Sequence, residues 1–67
     1  MKKQPNGTHF LDTKGKIQDA QAILAEYEKA LREAKRDGDA KKIERYEELI
    51  RQQENYIRGL EAYLEGF

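Results

Sequence analysis

Few side chains in this chain are suited to chemistry. His9 is the only histidine, and Asp12 follows three residues later. A carboxylate beside a histidine can orient a general base, but a base needs a nucleophile to activate. The chain has no Ser and no Cys. His9 therefore reads as a surface histidine, and no catalytic residue is expected. Metal binding has no better footing. A single His and scattered carboxylates form neither a Glu-x-x-His pattern nor a calcium loop. Asp37-Gly38-Asp39 brings two carboxylates together, but a helix end and a helix cap account for both. No metal and no cofactor are expected. Asn6-Gly7-Thr8 matches a glycosylation acceptor, yet the longest apolar run is Ala22–Ala25, too short for a signal peptide or a membrane span. Pro5-Asn6-Gly7 is read as a turn.

Two groups remain. Lys35, Arg36, Lys41 and Lys42 lie close together in sequence, and Lys2, Lys3, Lys14 and Lys16 add cations near the start. Such clusters can neutralise phosphates, which makes a small dimeric nucleic-acid-binding regulator the alternative reading. Against it, Asp37 and Asp39 interrupt the first cluster, and residues 38–67 carry five cations against seven anions. Tyr56 and Tyr63 stand one heptad apart with Arg58 nearby, and Tyr and Arg are enriched where proteins bind one another.

The elements that must position these residues are helical. Val, Cys, Trp and Ser are absent, and Ala, Leu, Glu, Lys, Arg and Gln dominate from residue 16 onward. Those are strong helix formers, and the strand formers are scarce. Ile17, Ala20, Leu24, Tyr27, Leu31 and Ala34 recur at alternating steps of 3 and 4. In heptad letters a to g they fill a and d, with Ile23 and Ala30 at g. A second series runs Ile43, Tyr46, Ile50, Gln53, Ile57, Leu60, Leu64 and Phe67, with Leu49, Tyr56 and Tyr63 at g. The two series are out of phase across Gly38, so one continuous helix would smear the apolar stripe around its surface. The spacing predicts an all-α antiparallel hairpin: helix 1 over about 17–37, a turn at 37–39, and helix 2 over about 40–65. Gly38 suits a left-handed helix end, Asp39 an N-cap, and Gly66 a C-cap. Residues 1–16 read as an irregular basic arm whose Phe10 and Leu11 fold back onto the end of helix 2.

One polar residue, Gln53, sits in a seam, and Gly59 faces outward at c. A two-helix hairpin hides its a and d residues but leaves the g residues uncovered. Below about 70–80 residues one core also supplies only roughly 3–5 kcal/mol. Both points predict self-association, most simply as a homodimeric four-helix bundle. The expected role is a non-enzymatic, cytoplasmic protein–protein interaction module of the adaptor, assembly or inhibitor type. Its interface would comprise Ile23, Tyr27, Ala30, Leu49, Gln53, Tyr56, Leu60 and Tyr63. Membrane partners and small-molecule substrates are not expected. The regular heptads and short loop also fit a designed chain, whereas the irregular arm, Gln53 and Gly59 do not.

Overall fold

The structure is a computed structural model that describes the backbone of residues 6–66 and the side chains of residues 11–66. Helix α1 spans Asn6–Asp37 and helix α2 spans Ala40–Glu65, and the two pack as a hairpin with outer dimensions of 55 × 15 × 14 Å. No strand occurs among the described residues.

The reversal between the helices is built by local chemistry. Gly38 adopts φ 72°, which costs an L side chain about 1–2 kcal/mol and glycine little. The Gly38 N–H donates to the Lys35 carbonyl at 3.2 Å and the Asp39 N–H to the Ala34 carbonyl at 3.0 Å. These are the two bonds of a Schellman end, which satisfies carbonyls that the last turn leaves open. Asp39 then caps α2. Its Oδ1 accepts from the Lys42 N–H at 3.2 Å, while its own carbonyl accepts the first helical bond from Ile43 at 2.9 Å. Lys35 and Arg36 lie in the last turn of α1, where the helix dipole favours cations. At the far end Gly66 closes α2 in right-handed geometry, its N–H donating to the Tyr63 carbonyl at 3.1 Å.

The seams pack as their spacing requires. Ile43, Tyr46, Ile50, Gln53, Ile57, Leu60 and Leu64 are all buried or half-buried on α2, as are Ile17, Ala20, Leu24, Tyr27, Leu31 and Ala34 on α1. The most buried apolar side chains, Ala20, Ala34 and Ile57, alternate small with large across the interface. The Tyr27 and Tyr46 rings meet at 6.3 Å between centroids and tilt by 46°. On the outer face Arg51 pairs with Glu48 at 2.5 Å, not with Glu47 as an i,i+4 pattern suggests, and Gln52 also donates to Glu48.

The start of the chain differs from its sequence reading. Residues 6–16 are not an irregular arm: α1 begins at Asn6, so Asn6-Gly7 opens a helix instead of making a turn. The cause is tertiary. The α2 seam runs on to Leu64 and would overhang a helix beginning at 17. Continuing α1 backward covers it, and Thr13, one step before Ile17 in the same seam, is buried. Leu11 does not fold onto α2. In the continued helix it falls at b, on the outward side, and is 69% exposed. Pro5, Phe67 and the side chain of Phe10 lie outside the described residues.

Candidate functional site: an apolar side of the hairpin

The two helices define a plane, and the two sides of that plane differ chemically. In an antiparallel pair the g positions of both helices share one side and the e positions share the other. The e side carries Lys14, Gln21, Glu28 and Lys35 from α1 and Glu47, Glu54 and Glu61 from α2. The g side carries Lys16, Ile23, Ala30 and Asp37 from α1 and Lys42, Leu49, Tyr56 and Tyr63 from α2. The surface bears out the division. One interhelical groove is lined by Lys16, Asp19, Ala20, Ile23, Gln53 and Tyr56, and the opposite one by Gln21, Leu24, Glu54, Ile57, Arg58 and Glu61.

Within the g side, Ile23 is 45% exposed, Tyr56 51% and Tyr63 52%. Ala30 and Leu49 are half-buried and join the strip towards the turn. Tyr27 and Leu60, also expected at an interface, are half-buried seam residues and belong mainly to the hairpin's own packing. Taking about 150–250 Å² for an aromatic residue, the three exposed side chains together leave on the order of 300 Å² of surface. That is the size of the largest apolar patch on a typical monomer, where such patches are often functional.

Gln53 occupies the floor of this groove. Its Nε2 donates to the Ala20 carbonyl oxygen at 2.9 Å in a partly buried setting. The acceptor belongs to the backbone of the facing helix, and the small Ala20 side chain lets the amide reach it. Because helix carbonyls point toward the C-terminus, this oxygen lies near the level of Leu24, the residue that the heptad register sets opposite Gln53. A polar residue that bonds across the seam fixes register in the manner known for buried polar groups of coiled coils.

The basic residues at the turn do not converge. Lys35, Arg36, Lys41 and Lys42 are exposed, and Asp39 among them is committed to its cap. Arg36 shares a surface depression with Lys29, Arg32 and Glu33, while Lys41 shares a different one with Glu44, Arg45, Glu47, Glu48 and Arg51. The first holds three cations and one carboxylate, and the second three of each. Among the described residues no three His, Cys, Asp or Glu side chains gather as metal ligands, and no helix is long and apolar enough to cross a membrane.

Fold and surface thus define a small helical hairpin with one apolar side. Residues 8–59 match the family described as "Protein of unknown function (DUF1090)", and the chain belongs to that family. No curated protein and no solved structure matches the chain.

Proposed function

We propose that this protein is a non-enzymatic interaction module that self-associates through the g side of its hairpin, two copies forming a four-helix bundle. The observation that carries the reading is the asymmetry of the two sides. Ile23, Leu49, Tyr56 and Tyr63 gather on one, with Lys16, Asp37 and Lys42 towards its ends, while the other holds six charged residues and Gln21 and no large apolar residue. The hairpin alone leaves Ile23, Tyr56 and Tyr63 about half exposed, whereas a second layer of helices would bury them. Tyr56 is the natural anchor, since its ring borders the groove and its hydroxyl can stay at the rim.

Sedimentation equilibrium over a concentration series tests this. The expected mass is twice the 7.9 kDa of one chain at tens of micromolar. Tyr56→Ala and Leu49→Ala should each move the association midpoint to higher concentration, with little response to salt. A single-chain mass across the whole series would refute the proposal.

A further inference from the structure

The g strip alone is too small for a stable interface. Two copies would bury on the order of 600 Å² from their exposed apolar side chains, against the roughly 1,200–2,000 Å² of a standard interface. The whole hairpin face is adequate. Its outer dimensions of 55 × 15 Å correspond to on the order of 800 Å² per copy. Docking must therefore engage the positions that flank g on the outside, which are the c positions of each helix.

Those two flanks are chemically opposite. Along α1 the c positions are Asp12, Asp19, Glu26 and Glu33, all acidic and all exposed. Along α2 they are Arg45, Gln52, Gly59 and Gly66, also exposed and without a carboxylate. Two two-fold arrangements stack one hairpin face on another. With the axis across the helices, α1 lies on the partner's α1, acid row on acid row, and the turns point to opposite ends. With the axis along the helices, α1 lies on the partner's α2, and the turns share one end.

We propose that the occupant of the g face is a second copy docked about a two-fold axis parallel to the helices, with Glu33 of each copy meeting the partner's Arg45. The inference rests on the self-association reading and specifies its geometry. Level for level, the acidic row then runs beside Arg45 nearest the turn, followed by Gln52, Gly59 and Gly66. Lys42 adds a second cation beside Arg45. A Cβ built on Gly59 meets nothing within 4 Å in the single hairpin, so the helix itself does not require a glycine there. Its missing side chain lets the partner's α1 approach closely beside Asp19. Neighbouring helices are antiparallel in both arrangements, so the charge rows and not the helix dipoles choose between them.

The chain has no cysteine, so one label can be placed cleanly. A nitroxide on Lys41→Cys, on the exposed outer surface near the turn, reports the separation of the two turns by pulsed dipolar spectroscopy. Turns at one end place the labels about 20–30 Å apart, given helix axes about 8–10 Å apart. Turns at opposite ends separate them by at least the length of α2, about 39 Å. The short distance is the expected result. A dominant long distance with a dimer mass would overturn this geometry but leave self-association standing. Absence of dipolar modulation with a single-chain mass would overturn both. Charge exchange gives a second readout. Arg45→Glu should weaken association about tenfold, and adding Glu33→Arg should restore it to within about threefold. Failure of that rescue in a variant that remains helical would count against the Glu33–Arg45 contact.

Discussion

Replacing Gln53 by Glu isolates the bond that crosses the seam. The exchange keeps the shape of the side chain and removes its donor. In the native chain Nε2 donates to the Ala20 carbonyl at 2.9 Å. In Gln53→Glu at neutral pH a carboxylate oxygen faces that carbonyl oxygen instead. Losing the bond costs about 0.5–1.5 kcal/mol, and leaving a partly buried charged acceptor against another acceptor adds about 1–3 kcal/mol. Ala20 keeps its own helical bond, so no further penalty arises on α1. The combined loss is about 1.5–4.5 kcal/mol. At about 4–8 °C per kcal/mol for a domain of this size, the melting temperature should fall by about 6–36 °C.

Acid should reverse the loss, because a protonated carboxyl can donate to the same carbonyl. The folded state disfavours the ionised form, so the new carboxyl titrates above its unfolded value of about 4.3. A raised folded pKa means that stability is complete below the unfolded value and is lost as pH rises through the folded one. The gap between variant and parent should therefore be small near pH 3 and open by pH 7. Gln53→Met, similar in shape and without charge, should show a gap that does not depend on pH. Circular dichroism melts of all three chains at one fixed concentration supply the comparison. A Gln53→Glu gap equal at both pH values, or no gap at pH 7, would show that Gln53 does not bond across the seam.

Other residues carry shorter predictions. Gly38→Ala forces a side chain into the left-handed region and should destabilise the hairpin by about 1–2 kcal/mol, read in urea unfolding. Asp39→Ala removes the cap of α2 and should cost about 0.5–2 kcal/mol, with amide exchange rising first in the turn following Ala40. Ala20→Leu overfills a buried position and displaces the Gln53 amide; a loss of about 1–3 kcal/mol is expected in the same assay. Gly59→Ala should stabilise the isolated hairpin by up to about 1 kcal/mol at high dilution, because a Cβ there meets no neighbour.

Much of this architecture is legible in the sequence because a and d spacing and turn chemistry are local signals that agree. Gly38 and Asp39 sit where the two seams fall out of phase, and both adopt the geometry their types favour. The first sixteen residues obey a different rule. Pro5-Asn6-Gly7 and a scarcity of apolar residues are local signals for a turn, and they compete with a demand set far away by Leu60 and Leu64. Burying Leu64 requires a facing helix, and the demand prevails over propensity at least as far back as Thr13. The cue available in the sequence is Thr13, which continues the alternating spacing one step before Ile17 but is polar and so escapes an apolar count.

The role of Gln53 is hidden for a related reason. A sequence shows that a polar residue falls at d, but its meaning depends on what faces it. Gln53 stands level with Leu24, and the small Ala20 one turn before it leaves the backbone open. The amide reaches the Ala20 carbonyl there, and a flaw in the seam becomes a register bond. The sidedness of the hairpin has the same character. Neither g row is decisive alone, since Ile23 and Ala30 on α1 or Leu49, Tyr56 and Tyr63 on α2 would each be ordinary flanking residues. Antiparallel pairing places them on one side and the e-position charges on the other, and only then does an apolar face stand opposite a charged one. The acidic and carboxylate-free c rows follow from that pairing too, and they make the face distinguish one two-fold partner from the other.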